Sequence, residues 1–435
     1  MADHGRRQVA GETAAVLEEI RPAPIGVGPE EAGAAAPPPF NAFARWMLTE
    51  GWNIADPRLF IERLAGQLAA AEIRLTRMRV TIRTLHPQVI GTSYTWLAAT
   101  GRAEEYRPPH AILQSDQFLK SPYLAIFQGA GGTRRRLDMP GEKLEFPILE
   151  DLRAAGATDY VAMPLLFSDG KISAATFATD RGGGFATAEL AQIYDMLPAL
   201  AHVMEMHALR HTARSLLDTY LGGHTGRRVL DGFVKRGDGE DIHAVIWFCD
   251  LRESTVLADS VPRAHFLALL NDFFDCMAGA VLRHEGEVLR FIGDAALAIF
   301  PIVEADSDTG REACTRYDAC RKALAAARDA HGRMRELNRG REEKGQTPLR
   351  FGIGLHIGDV TWGNIGVPER LEFTVVGAAA NEAARLEGLC KTLDRSILLS
   401  SRFAQFFPGE MILLGRHQLR GVSEPQEVFS LPDLI

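Results

Sequence analysis

The chain is poor in cysteine: 435 residues carry five, at positions 249, 276, 314, 320 and 390. They are odd in number and show no CxxC or metal-ligand spacing, which excludes a disulfide scaffold and a cysteine-built metal centre; reduced thiols are expected. No run of about 18 apolar residues occurs, so no membrane span is expected. Arg6-Arg7 is followed by Gln8-Val9-Ala10-Gly11-Glu12 with no apolar stretch, which excludes a twin-arginine export signal. Positive charge is not in excess either: 48 Lys plus Arg stand against 56 Asp plus Glu, a net −8. That balance argues against a nucleic-acid coat, although a local site for an anion remains possible on an acidic protein. Internal repeats are also lacking. A cytoplasmic location is the expectation from these absences.

What is present is ordinary globular composition, 46% hydrophobic and 24% charged, in a length that suits two or three domains. Residues 1–40 are the exception, rich in Ala, Gly, Pro and Glu and ending in Pro37-Pro38-Pro39; they read as a flexible tail. From residue 41 to 205 the pattern is α+β. Phe60, Leu64, Leu68 and Ala71 recur at helical spacing, and Arg79 to Leu85 alternates polar and apolar as a strand does. Tyr160–Leu165 and Ile172–Ala178 read as two strands joined by the turn Ser168-Asp169-Gly170-Lys171. This element order resembles a small-molecule sensor domain of the GAF or PAS type. Leu190, Ile193, Leu197, Leu200 and Met204 then follow at intervals of three and four. The stripe suits either pairing with a second copy of the helix or packing on its own domain. Pro198 is expected to kink that helix or divide it in two. Residues 206–240 form the predicted helical connector, with Gly222-Gly223 ending a helix.

Residues 241–435 carry the chemistry. His243–Cys249 is a short apolar run, read as a buried strand, and it ends on Asp250. A helical stretch from Arg263 to Leu282 leads to a hairpin, Glu287–Ile292 and Ala296–Phe300, whose turn is Gly293-Asp294. If the two strands are neighbours, Asp250 and Asp294 converge on one sheet edge, as a hard cation that also binds substrate phosphate requires. Taken alone, either Asp is more simply a cap or turn residue. Further on, Gly352-Ile353-Gly354-Leu355-His356-Ile357-Gly358 is a glycine-punctuated strand. Asn381 and Arg385, four apart, share one helix face and suit a clamp on a sugar oxygen and a phosphate. The bland alternative pairs Arg385 with Glu382 or Glu387.

These motifs occur in one order: Phe248-x-Asp250-Leu251-Arg252, Phe291-Ile292-Gly293-Asp294, Gly352 to Gly358, Gly363-Asn364-Ile365-Gly366, and Thr374-Val375-Val376-Gly377 leading to Asn381 and Arg385. Together they resemble the class III adenylate/guanylate cyclase catalytic domain, over about Asp241 to Leu431. The resemblance implies a ferredoxin-like palm acting as a head-to-tail homodimer, with two active sites at the interface. It implies two Mg²⁺ or Mn²⁺ ions on Asp250, Asp294 and the Leu251 carbonyl, and no organic cofactor. By motif position, Asn381 would orient the ribose and Arg385 would stabilise the phosphate in the transition state. Arg420 would bind the triphosphate, while Arg290 and Thr374 would read the purine. The reaction implied is in-line attack of the ribose 3′-hydroxyl of ATP on its α-phosphorus, releasing pyrophosphate, with no covalent nucleophile.

Two positions depart from the family pattern: Arg290 stands where adenylate cyclases place Lys, and Thr374 where they have Asp or Thr. Arg only donates, which suits adenine N1 and not the guanine N1–H, so ATP is the expected substrate and GTP the alternative. A catalytically inactive binding or dimerisation module is the other alternative. A diguanylate cyclase is discarded because the hairpin reads Ile292-Gly293-Asp294-Ala295-Ala296. The N-terminal domain is expected to regulate the cyclase, and no haem or metal is expected there: His86, His110, His202, His207 and His211 show no ligand-pair spacing. A small-molecule effector there is left open.

Overall fold

The computed structural model describes residues 41–84, 86–139, 141, 144–303, 314–407, 409–422 and 424–432. The predicted tail (1–40), Leu85 at the end of the predicted first strand, and the last three residues of the C-terminal domain lie outside the described residues. The described residues form two sheets, each with its own helices: a mixed α+β architecture with a C-terminal palm.

The N-terminal unit opens with α1 (Ala42–Thr49) and α2 (Pro57–Ala70). Asn41 accepts hydrogen bonds from the first free amides of α1, and Asp56 does so for α2, whose Pro57 needs no donor partner. The strands are β1 (Arg77–Arg83), β2 (Gly91–Leu97), β3 (Arg102–Tyr106), β4 (Thr133–Arg136), β5 (Asp159–Leu166) and β6 (Ile172–Thr179). They lie in the order β3-β2-β1-β6-β5-β4, all neighbours antiparallel. The predicted hairpin is β5–β6, with Leu166 opposite Ile172. The predicted first strand is present two residues earlier, and its period-2 pattern separates two faces. Met78, Val80 and Ile82 enter a core with Phe60 and Leu64, while Arg77, Arg79, Thr81 and Arg83 face the other side. Short helices α3 (Asp116–Leu119) and α4 (Pro122–Phe127), and α5 (Pro147–Ala154), accompany this second face.

α6 runs unbroken from Thr187 to Leu221 with Pro198 inside it, so the expected division into two helices does not occur. Pro198 forfeits only its bond to the Tyr194 carbonyl. Ile193, Met196, Leu197, Leu200, Val203 and Met204 are buried on both sides of it in the domain's own core, and that continuous burial holds the helix together. The apolar stripe therefore packs intramolecularly. Gly222, at φ 89°, ends α6 in the left-handed region that favours glycine, and α7 (Gly223–Leu230) begins at once.

The palm comprises β7 (Gly239–Leu251), α8 (Ser254–Ser260), α9 (Arg263–Arg283), β8 (Glu287–Ile292), β9 (Ala295–Pro301), α10 (Arg316–Glu342), β10 (Phe351–Val367), β11 (Arg370–Val376), α11 (Ala378–Leu393), β12 (Ile397–Ser400), α12 (Ser401–Ala404), β13 (Ile412–His417) and β14 (Gln426–Ser430). The strand order is β13-β14-β12-β10-β7-β9-β8, with β11 folded back on β10. α9 has a mean hydropathy of 1.3 over its most apolar window, long and apolar enough to cross a membrane by composition alone. Here Leu269, Phe273, Met277, Ala280 and Val281 seat it in the palm core with α10, which makes it a core helix of this domain. All five cysteines are free thiols.

The glycine-punctuated strand is explained by α11, which lies directly on β10. A Cβ on Gly354 would stand 2.4 Å from the Ala383 carbonyl oxygen and 2.6 Å from the Glu387 amide nitrogen. Gly352 is covered by the Glu387 carboxylate and Gly358 by Ala379 in the same way. The glycines set the height of the helix that carries Asn381 and Arg385. Gly354→Ala is expected to destabilise the domain by about 3 kcal/mol, read as a lower urea midpoint, because backbone must move to admit one methyl. An unchanged midpoint would contradict this packing.

Candidate active site

β7 and β9 are neighbours, and the register sets Asp250 opposite Ala295, the residue after Asp294. The two carboxylates therefore converge on one sheet edge, as the strand reading required. Gly293, at φ 64°, makes the tight turn that presents Asp294. Burial, then the nearby Asp294 charge, pushes the Asp250 carboxyl up to about 6. Its Oδ1 is buried with no hydrogen-bond partner. Such an orphaned anionic oxygen beside a second carboxylate is what a divalent cation would satisfy. No group of three or more His, Cys, Asp or Glu side chains suited to a metal is present among the described residues. Two carboxylates plus the adjacent Leu251 carbonyl fit an ion that takes its remaining oxygens from water and substrate phosphate, as Mg²⁺ does.

Arg290 on β8 reaches β11, where its Nη1 donates to Glu372 Oε1 at 3.0 Å. Thr374, two residues along the same face as Glu372, is buried, and its hydroxyl has no hydrogen-bond partner. The structure thus joins β8, which carries Arg290, to β11, which carries Thr374, through Glu372, which sequence reasoning missed. The signal was there: an acid at i−2 of Thr374 shares its side of a strand.

Asn381 is exposed in the second turn of α11, and Arg385 stands one turn on. The Arg385 guanidinium lies against the loop after Arg420, since a Cβ on Gly421 would come within 3.4 Å of it. Neither Arg385 nor Arg420 has an ion-pair partner among the described residues. The bland alternative for Arg385 is absent: Glu382 Oε2 stands 3.7 Å from His356 Nε2, and Glu387 is buried against Gly352. Burial chiefly, and the Asp250 charge secondarily, push Glu387 up to about 7.

No hydrogen bond or ion pair joins Asp250 or Asp294 to Arg290, Thr374, Asn381, Arg385 or Arg420 among the described residues. Asp250 pairs with Gly352, where Glu387 of α11 packs, whereas Ala379 at the start of α11 packs at Gly358, six residues and roughly 20 Å further along β10. Around the hairpin and β11 lie exposed apolar side chains, Phe291 at 54% and Val376 at 50% among them.

Sequence reasoning also missed how α7 docks. The Thr225 amide and hydroxyl donate to Glu287 Oε1 at 2.9 and 2.8 Å, in a buried contact at the start of β8. The His224 ring packs on Trp362 at 4.8 Å, and Arg228 pairs with Glu240 at 2.7 Å while lying over the same Trp362 ring. In the N-terminal unit, His86 and His211 stack at 6.4 Å, with the His86 Nδ1 near the Gln88 and Val89 amides.

The palm sheet thus carries paired carboxylates on one edge, with unpaired cations on α11 (Arg385) and on the loop after β13 (Arg420). Residues 240–420 match the model of the family described as adenylate and guanylate cyclase catalytic domain. An uncharacterized protein of Mycobacterium tuberculosis (strain CDC 1551 / Oshkosh) is 36% identical over 47% of this chain and 36% of its own length. One of Mycobacterium bovis (strain ATCC BAA-935 / AF2122/97) is 38% identical over 41% and 31%. The chain thus spans about a third of the length of these relatives. Among solved structures, a bacterial light-regulated adenylyl cyclase aligns at 19% identity over 63% of this chain and 86% of that one, with a TM-score of 0.45. The guanylyl cyclase Cya2 aligns at 27% over 44% and 92%, with a TM-score of 0.37. The adenylyl cyclase CyaB from P. aeruginosa aligns at 23% over 46% and 100%, with a TM-score of 0.39.

Proposed function

We propose that the protein is an adenylate cyclase, converting ATP to 3′,5′-cyclic AMP and pyrophosphate in active sites shared between two copies of the chain. The observation that carries this reading is the division of the site: an acidic edge with an orphaned carboxylate oxygen, and a separate cationic surface with unpaired arginines. A head-to-tail homodimer would oppose the two, and the exposed Phe291 and Val376 would be covered there.

Arg385 and Arg420 would bind the phosphates, where a planar guanidinium matches phosphate oxygens better than an ammonium does. Asn381, exposed one turn earlier, would orient the ribose so that its 3′-hydroxyl lines up with the α-phosphorus. Divalent ions held by Asp250, Asp294 and the Leu251 carbonyl would supply charge neutralisation and a more acidic 3′-hydroxyl. No covalent nucleophile is needed.

The base assignment follows from donors and acceptors. Glu372 fixes the Arg290 guanidinium, whose remaining N–H groups can donate to adenine N1, and the unpaired Thr374 hydroxyl can accept from the adenine amino group. Arg290→Ala is expected to lower kcat/KM for ATP about 10- to 100-fold, and Glu372→Gln by less, with loss of discrimination against GTP. Equal ATP turnover in Arg290→Ala, or a wild-type kcat/KM greater for GTP, would contradict it.

The N-terminal unit is proposed to regulate this activity through α6 and α7, whose end is hydrogen-bonded into β8 two strands from Asp250. A change in that seating would shift the population of competent dimers. Removing residues 1–205 is expected to alter the basal rate. An unchanged rate contradicts the regulatory reading.

A further inference from the structure

The second face of β1 holds three arginines without an ion-pair partner among the described residues. Elsewhere on the same domain such residues are matched: Arg134 pairs with Asp159 at 2.6 Å, Arg135 with Glu145 at 2.8 Å and Arg136 with Asp138 at 2.8 Å. Arg77, Arg79 and Arg83 have no ion pair among the described residues. Arg79 lies over the Tyr123 ring at 5.8 Å and Arg83 over the Phe127 ring at 5.3 Å. The Arg79 Nε is buried without a hydrogen-bond partner. All three line a partly open cavity of about 220 Å³ between β1 and the segment containing α3 and α4. Its other walls include Phe118, Tyr123 and Tyr160, and no acidic side chain lines it among the described residues.

The costs and shapes point one way. A half-buried guanidinium with no counter-charge is unfavourable in the empty protein, and burial lowers the Arg77 pKa from its ordinary value. Taking a water's share of liquid as about 30 Å³, the cavity holds roughly seven waters, the size of a single-ring molecule. Aromatic walls favour a planar apolar body, and two forked cations on alternate residues of one strand favour an acidic group.

We propose that this cavity is a binding site for a small aromatic acid, with its carboxylate or phosphate held by Arg77 and Arg79 and its ring among Tyr123, Phe118 and Tyr160. The site is separate from the cyclase palm and does not depend on the cyclase reading.

The test uses the full chain and four single-ring probes: benzoate and phenyl phosphate, the neutral benzamide and the cationic benzylamine. Thermal unfolding and titration calorimetry are expected to show binding of one or both anions and no response to the other two. The two anions distinguish carboxylate from phosphate recognition. Arg79→Leu is expected to weaken anion binding about ten- to a hundredfold. It should also raise the midpoint of the empty protein by about 2–4 °C, because an uncompensated charge is removed from a half-buried site. Arg83→Gln, at the other end of the strand, supplies a second variant with the same expected loss in smaller degree. The proposal is overturned if neither anion binds, if benzamide binds as well as benzoate, or if both variants bind the anions like the wild type.

Discussion

Asp250→Ala and Asp294→Ala are each expected to lower turnover by more than about 1,000-fold, close to 4 kcal/mol of transition-state stabilisation, while leaving the protein folded. The folded state has little to lose. Asp250 is half-buried beside a like charge, with one buried oxygen unpaired, so its charge destabilises the metal-free chain. Asp250→Asn, which keeps the shape and removes the charge, should therefore unfold at the same or a higher temperature than the wild type without added metal. Added Mg²⁺ or Mn²⁺ should raise the wild-type midpoint and not that of the variant, since only a state that binds the ion gains from it. Differential scanning fluorimetry with and without metal, beside a turnover assay, reads both halves. Normal turnover in either Ala variant would remove the metal assignment; a collapse of stability would show that the acids are structural.

Two inactive variants are expected to rescue each other. Arg385→Ala should be as inactive as Asp250→Ala, because it strips the phosphate-facing surface of one of its unpaired cations. In a head-to-tail dimer each site takes the acidic edge from one copy and the cationic face from the other. Co-expressing Asp250→Ala and Arg385→Ala chains gives about half heterodimers at random association, and each heterodimer keeps one of its two sites intact. About a quarter of wild-type activity should return. If instead the mixture stays at the sum of the two inactive variants, the groups act within one chain. Stripping the apolar rim by Phe291→Asp should abolish the rescue with the dimer.

Much of the palm was legible because its signals are local. The run His243–Cys249 ending on Asp250 is a continuous apolar strand signal, the Gly-Asp turn between two apolar strands is a chemically specific turn, and both elements form where they were read. The convergence of Asp250 and Asp294 needed one further fact, that β7 and β9 pair, which the family resemblance implied and the register supplies. The glycines at 352, 354 and 358 were visible as punctuation, but only the packing of α11 explains them. What stayed hidden was set by contacts distant in sequence. Pro198 pointed to a break, yet burial of Ile193 through Met204 outweighs one missing hydrogen bond. Glu372 is 82 residues from Arg290, and Thr225 is 62 from Glu287, so no window of sequence shows either pair. The alternation from Arg79 to Leu85 was read as a strand, whereas the absence of acids around Arg77, Arg79 and Arg83 among the described residues belongs to the assembled domain.

The most direct test of the central claim is identification of the product. Purified full-length chain incubated with equimolar ATP and GTP and either Mg²⁺ or Mn²⁺ should release cyclic AMP and pyrophosphate in equal amounts, identified by mass and retention time, with cyclic GMP the minor product. Formation of no cyclic nucleotide from either substrate, or of cyclic GMP in excess, would contradict the account.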